Sequence, residues 1–292
     1  MSTHNQGRAS LLYEMLRSFT TLAEVLNLSR AVTLLGSTRQ TVRRHISILE
    51  QERGEKLFEL DDDRRYKLTP EGERALDEAL EIVARGDGWL KNQSGKIKGL
   101  SHLMVEPEQG NRYYLQQHSL SKLWQDGPER LRAIAKAWAE AEGKLNHPAF
   151  AAHRSHCIVF RPSGTQWVCA EIGEHSSYAT WFGKDWAASS IGLTFSSLVR
   201  GSGLGAVSFD PYREILASGG VRFDHISTEL PREEPDQKFP VSYARVMMGC
   251  RFPDNSVGVV SSSIRTYDIQ IAGVPESWIK SMDPSALIDD DI

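Results

Sequence analysis

Between Ser29 and Ser47 the chain carries four arginines, Arg30, Arg39, Arg43 and Arg44, and no acid. They sit inside a tightly patterned segment that runs on to Thr69. Upstream, Leu11, Leu12, Met15, Leu16, Phe19, Leu22 and Val25 recur at helical spacing and predict a first helix over 11–26. Ser29 can cap a second, short helix through Leu35, with Ala31, Val32, Leu34 and Leu35 facing inward. Gly36 permits a tight turn. Thr38 can cap a third helix to about Gln51, with Val42, Ile46 and Leu49 as its buried stripe. Gly54 ends it. Lys56 to Leu60 and Tyr66 to Leu68 read as two strands, joined by Asp61 to Arg65. The order is helix, turn, basic helix, hairpin: a winged helix-turn-helix.

That order leaves Arg39, Gln40, Thr41 and Arg43 on the exposed side of the third helix. Arginine can read guanine bidentately and glutamine can read adenine. Arg30 and Arg44 are better placed for phosphates, Thr38 at the cap counts among the DNA-binding residues, and Arg64, Arg65 and Lys67 on the wing would touch the backbone or the minor groove. Asp61 to Asp63 oppose close approach of a phosphate backbone at the wing tip. A charged helix face is often only a solvated face. Here cap, turn, buried stripe and basic face agree, which favours double-stranded DNA as a partner. Thr69-Pro70-Glu71 starts a further helix, with proline at its first position. Leu76, Leu80 and Val83, widened by Ala75, Ala79 and Ile82, give it an apolar face that a second copy could cover. Gly86-Asp87-Gly88 is expected to break it.

Residues 10 to 90 resemble the N-terminal domain of LysR-type transcription regulators. The resemblance rests on Ser29 to Val32, on VRRHISILE ending at Glu50, on GEKLFEL and on KLTPEGERAL. Leu49-Glu50, Gly54, Leu57-Phe58, Leu68-Thr69 and Gly72 stand where that family has its signature residues. Thr38, Arg39 and Arg43 depart from the family's usual base-reading residues, so its operator preference does not carry over. The resemblance implies a homodimer or tetramer, paired through the helix after Pro70.

The rest of the chain does not alternate strands and helices as that family's effector domain does. His102 to Glu106 and Tyr113 to Gln117 read as short strands, and Pro128 to Gly143 as an amphipathic helix. Cys157 to Phe160 and Trp167 to Ile172 read as a hairpin turning at Pro162-Ser163-Gly164. Short helices follow at Ser176 to Phe182, Trp186 to Ser190, Phe195 to Val199 and Pro211 to Ser218. Strands at Val221 to Leu230, Val241 to Phe252 and Val257 to Ile269 close the series. Over 155–272 this order resembles a PAS domain, one antiparallel sheet cradling a pocket against short helices. Trp167, Cys169, Tyr178, Trp181, Phe182 and Trp186 are the candidate pocket residues, and filling a core is the plainer role for each. No spacing singles out His153, His156, His175 or His225 as a haem ligand, and Cys169, on a strand, does not suit a flavin adduct. The cofactor is left unknown.

The expected fold class is α+β. A winged helix-turn-helix spans 1–69, a linker and dimerisation helix 70–90, connecting strands and a helix 91–154, and a PAS-like sensory or dimerisation domain 155–292. The chain has 292 residues and a formal net charge of −4, so any DNA footprint must be local rather than global. Its three cysteines, Cys157, Cys169 and Cys250, show neither a CxxC pair nor metal-ligand spacing, which suits reduced thiols. A polar start and no membrane-length apolar run point to the cytoplasm and to no membrane partner. No phosphate-loop, nucleophile-elbow or zinc-protease motif is present. The glycine-rich Gly201 to Gly205 lacks a phosphate-loop lysine, and Asp289 to Asp291 form an acidic tail. These features favour a DNA-binding transcription regulator, tuned through its C-terminal domain by a small-molecule effector or a protein contact. The alternatives are a protein-interaction scaffold whose winged helix binds protein, and, with no catalytic constellation to support it, an enzyme.

Overall fold

The computed structural model describes residues 11–61, 65–90, 94–106, 112–164, 166–198, 209–232 and 237–288. The chain divides into two compact units, residues 1–90 and 91–292. In the first, α1 (Leu12–Val25), α2 (Leu28–Leu34) and α3 (Arg39–Arg53) are followed by a hairpin of β1 (Phe58–Leu60) and β2 (Tyr66–Leu68), then by α4 (Pro70–Leu90). The helical spacing of Met15, Leu16, Phe19 and Leu22 puts them on one face of α1. That face meets Ala31 of α2, Val42, Ile46 and Leu49 of α3, Leu57 and Phe58, and Ala75 and Ala79 of α4.

Two expectations change in α4. The glycines at 86 and 88 do not break it; the helix continues to Leu90. A Cβ on Gly86 would stand 2.6 Å from Tyr13 Cε2, and the Tyr13 hydroxyl donates to the Asp87 carboxylate. Gly86 is thus a close-packing point rather than a stop. The apolar face also divides. Ala75 and Ala79 are buried against their own unit, with Leu76 and Val83 partly so, while Ile82, Trp89 and Leu90 stay exposed.

The second unit is built on one eight-stranded sheet. Its strands are β3 (Ser94–Ile97), β4 (Leu100–Val105), β5 (Tyr113–His118), β6 (Cys157–Ser163), β7 (Gln166–Ile172), β8 (Val221–Pro231), β9 (Lys238–Arg251) and β10 (Val257–Arg265). They lie in the order β3-β4-β5-β8-β9-β10-β6-β7, and every neighbouring pair is antiparallel. The last strand, β10, lies between β9 and β6. This corrects the expected division at residue 155. Tyr113 to His118 of β5 pair with Phe223 to Thr228 of β8, so the supposed connecting strands belong to the same sheet. The last strand also ends at Arg265 rather than Ile269; one further bond in the same register, from the Thr266 amide to the Ser242 carbonyl at 3.0 Å, closes its pairing with β9.

Alternation along the strands sends apolar side chains to both faces, so each face has its own core. On one, Tyr113, Leu115, Ile226, Tyr243 and Met247 pack under α8 (Ser177–Phe182), α9 (Lys184–Ser190), α10 (Phe195–Leu198) and α11 (Phe209–Ser218). On the other, Tyr114, Phe223, Ala244, Val246 and Val260 pack under α5 (Leu120–Asp126), α6 (Glu129–Glu140), α7 (Pro148–Ala151) and α12 (Glu276–Ile279). No helix among the described residues is long and apolar enough to cross a membrane. The fold class is α+β, with a helix-turn-helix unit followed by a large antiparallel sheet and short helices.

Candidate functional site

The turn between α2 and α3 is set by local chemistry. Asn27, not Ser29, caps α2: its side chain accepts from the Arg30 amide at 3.1 Å. Gly36 takes φ +56°, a backbone that favours glycine. Thr38 Oγ1 then accepts from the Thr41 amide at 3.1 Å and opens α3. Val42 is fully buried, and Ile46 and Leu49 continue its stripe inward. On the other side Thr38, Arg39, Gln40, Arg43 and Arg44 are exposed and Thr41 is half-buried; Arg30, on α2, is exposed as well. Ser29, freed from capping, accepts a hydrogen bond from Arg39 Nη2 at 2.7 Å, which ties the start of α3 to α2. Leu34, expected inside, is exposed. The sequence places these side chains on one surface because 3.6 residues per turn separates 39, 40, 43 and 44 from 42, 46 and 49.

Two buried polar residues brace α3. His45 Nδ1 meets Ser18 Oγ of α1 at 2.8 Å, and burial, helped by Arg44, pulls its pKa below the ordinary histidine value. Glu50 reaches the hairpin. Its Oε1 accepts from the amides of Leu57 at 3.0 Å and Phe58 at 3.3 Å, and its Oε2 from Lys56 Nζ at 2.6 Å. Sequence reasoning met Glu50 only as part of a resemblance; its spacing of seven and eight residues from the Leu57 and Phe58 amides, at the entry to β1, is the signal that was there to read. In the hairpin, Glu59 pairs with Lys67 across the strands and their side chains meet at 2.9 Å. Arg65 and Lys67 are exposed. Asp61 Oδ1 accepts from the Arg65 amide at 2.7 Å. Arg64, with Asp62 and Asp63, lies outside the described residues.

The six candidate pocket residues of the second unit do not line one cavity. Trp167 and Cys169 are buried in the core, Trp167 against Tyr212. Trp186 packs on Phe182 with ring centroids 4.5 Å apart. Tyr178, Trp181 and Phe182 do share a cavity, with Tyr243, Ser263 and Arg265, but its volume is about 20 Å³. That is room for a single water. A much larger open cleft, about 940 Å³, runs along His118, Ile269 to Ala272 and Glu276 on the opposite face of the sheet. The candidate histidines are scattered. His225 accepts from the Gln270 amide at 2.9 Å, and burial pulls its pKa down to about 3. His156 and His175 have ring centroids 5.5 Å apart. No group of three potential metal ligands occurs among the described residues. The glycine-rich 201–205 and the tail 289–291 lie outside the described residues.

Sequence reasoning missed a buried ion network on the same face of the sheet as Trp181. Asp224 is fully buried and accepts from Arg222 Nε and from Arg245 Nη2, each at 2.8 Å. Arg222 also donates to the Glu214 carboxylate. The signal was present as charged residues at i and i+2 within otherwise apolar strands, which must either pair or face water.

Residues 13–73 match the family model described as "Bacterial regulatory helix-turn-helix protein, lysR family". No curated protein matches the chain. Among solved structures, it is similar to oxidised Corynebacterium glutamicum OxyR, at 28% identity over 27% of this chain and 26% of that one, with a TM-score of 0.26. It is also similar to the BenM DNA-binding domain in complex with catB site 1 DNA, at 28% identity over 27% of this chain and 89% of that one, TM-score 0.26. The CbnR DNA-binding domain, also solved with DNA, matches at 26% identity over 27% of this chain and 94% of that one, TM-score 0.24. The chain thus spans about a quarter of the length of the full OxyR structures it matches. The residues carrying the turn, the capped basic helix, the hairpin and the first turn of α4 coincide with the family match, and residues 13–73 are a regulatory helix-turn-helix domain of the LysR family.

Proposed function

We propose that the protein is a transcription regulator that reads double-stranded DNA as a dimer or tetramer and is modulated through its C-terminal unit. One observation carries the DNA reading: the family's helix-turn-helix is present with a capped, firmly packed α3 whose outward face is Arg39, Gln40, Arg43 and Arg44. Arg39, Gln40, Thr41 and Arg43 read base edges from the major groove, Arg30 and Arg44 contact phosphates, Thr38 lies at the DNA-facing start of α3, and Arg64, Arg65 and Lys67 serve the wing. Arg39 leaves its Ser29 contact to do so, or keeps it and presents its remaining donors. The exposed stripe of Ile82, Trp89 and Leu90 on α4 has helical spacing i, i+7, i+8 and supports pairing with a second copy. Two such copies would read half-sites about 34 Å apart, or a multiple of that. One antiparallel sheet with short helices on the face that holds Trp181 supports the PAS-like reading of the second unit, and the small cavity there is where an effector would act.

The test is salt-titrated binding to the DNA upstream of the protein's own gene. Affinity should fall steeply with salt, with a log–log slope of about −0.9 for each phosphate neutralised. Arg39→Ala with Arg43→Ala should abolish sequence-selective binding while the fold persists, because both side chains are exposed. A protein that ignores this DNA at low salt, or binds it equally well without both arginines, refutes the reading.

A further inference from the structure

We infer that Ser29 is a positioning residue for Arg39, and so sets how strictly the chain reads one guanine of its DNA site. This role rests on the DNA reading proposed above, and adds which arginine carries the sharper base preference and why. Asn27 supplies the cap of α2, so the Ser29 hydroxyl is released from that task. It lies in the first turn of α2 and accepts from Arg39 Nη2, ten residues on, at 2.7 Å. Arg39 is the first residue of α3, where Thr38 fixes the backbone by accepting from the Thr41 amide at 3.1 Å. Both ends of the Arg39 side chain are therefore held, the Cα by the cap of its own helix and the guanidinium by the neighbouring one. Among the described residues no side chain anchors Arg43, one turn further along the same exposed face.

The anchor leaves the base-reading chemistry whole. A guanidinium presents its N–H donors on two forked edges, and Nη2 contributes one hydrogen to each. With one of these given to Ser29, the other edge keeps two parallel donors, which is what the O6 and N7 acceptors of guanine require. Holding the fork in place removes part of the rotamer freedom that a free arginine loses on binding. It also keeps the side chain from swinging to a nearby phosphate when its guanine is missing. A wrong base then faces a fixed pair of donors without acceptors, and unmet donors are what make discrimination strong. Arg43 is free to turn away, so its own base pair tolerates replacement better. Ser29 acts on specificity only through Arg39. Replacing it with alanine leaves α2 folded, because Asn27 carries the cap, Ser29 is exposed and alanine is the better helix former.

The experiment uses the full chain and a duplex that it selects from a randomised pool. Each base pair of that duplex is replaced in turn, and fluorescence anisotropy measures the affinity of the parent, Arg39→Ala, Arg43→Ala, Ser29→Ala and Ser29→Thr for every replacement. The pair at which Arg39→Ala alone loses its preference is the one Arg39 reads. At that pair Ser29→Ala should lose discrimination by about three- to ten-fold, what one net hydrogen bond supplies. Its preferences at the Arg43 pair should stay as in the parent, and Ser29→Thr, which keeps the hydroxyl, should restore the loss. In the parent, replacing the Arg39 pair should cost more affinity than replacing the Arg43 pair. Full discrimination by Ser29→Ala at the Arg39 pair overturns the positioning role and leaves the DNA reading standing. So does a uniform loss of affinity across all sequences, which would make Ser29 a phosphate contact. If the pool yields no preferred sequence, or if Arg39→Ala keeps every preference of the parent, the base-reading assignment fails and the role of Ser29 falls with it.

Discussion

Glu50 ties α3 to the start of the β1–β2 hairpin, and removing it has a calculable cost. Glu50→Ala takes the acceptor from the Leu57 and Phe58 amides, bound at 3.0 and 3.3 Å, and from Lys56 Nζ at 2.6 Å. Leu57 is 1% and Phe58 7% exposed, so water cannot easily replace the carboxylate at either amide. A buried donor left unsatisfied costs about 1–3 kcal/mol. Two donors, with some relaxation of the hairpin, give roughly 2–4 kcal/mol. Lys56 adds little, since its side chain is 75% exposed. Glu50→Gln keeps an acceptor for the amides and should lose only about 1 kcal/mol, the difference between a charged and a neutral acceptor. Urea unfolding, followed by hydrogen-exchange mass spectrometry on peptides from residues 11–61, reads the first unit separately from the second. The Leu57 and Phe58 amides should lose protection in Glu50→Ala and largely keep it in Glu50→Gln. An alanine variant within 0.5 kcal/mol of the parent, with the two amides still protected, refutes the argument that the carboxylate holds the wing.

Three further outcomes follow from the same structure. Gly72→Ala should destabilise the first unit severely, because the new Cβ would lie 2.1 Å from the Leu57 carbonyl oxygen, a backbone atom with little room to move; the unfolding midpoint measures it. Gly86→Ala should fail to deliver the gain of about 1 kcal/mol expected of alanine in a helix, because Tyr13 Cε2 stands 2.6 Å from the new methyl group; in a Tyr13→Ala background the same change should stabilise α4, a coupling that a double-mutant cycle detects. The third concerns pH. His225 is held neutral by burial, its pKa lowered from 6.5 to about 3. The unfolded chain therefore binds a proton that the folded one refuses. This contribution to stability is complete above about pH 6.5 and declines as pH falls toward 3. Urea midpoints of the second unit at pH 7.5 and 5 should differ, and His225→Gln should reduce the difference.

The helix-turn-helix unit was legible because its determinants are local. Thr38, Gly36, Gly54 and the Val42, Ile46, Leu49 stripe each specify a nearby backbone conformation, and no distant residue overrides them. What misled were residues whose role is set by a remote neighbour. Gly86 looks like a helix stop until Tyr13 is seen against it. Ser29 looks like a cap until Asn27 takes that place and Arg39 claims its hydroxyl. In the second unit the strands were visible as β-rich runs, but their partners were not. Tyr113 to His118 gave no local sign of pairing with a strand more than a hundred residues later, so the boundary at 155 fell inside a sheet. The pocket suffered most. Aromatic residues mark a core and a cavity in the same way, and only packing separated Trp167 and Cys169 from Trp181 and Phe182. The ion network of Asp224, Arg222 and Arg245 needed the register of β8 and β9 to bring it together.

The place of β10 in the sheet sets a timetable for making the protein. The first unit closes its core with contacts no farther apart than residues 15 and 83, so it can fold as soon as α4 has left the ribosome. The second cannot. Among the described residues β6 and β7 join the remaining strands only through β10, which ends at Arg265. Until then the hairpin of β6 and β7 and the sheet from β3 to β9 each show an unpaired edge on which other chains can grow. Synthesis therefore passes through a stage with a finished helix-turn-helix unit and an open, incomplete sheet. A chain that stops before residue 257 is left at that stage for good, with its helix-turn-helix intact and its second unit exposed to aggregation.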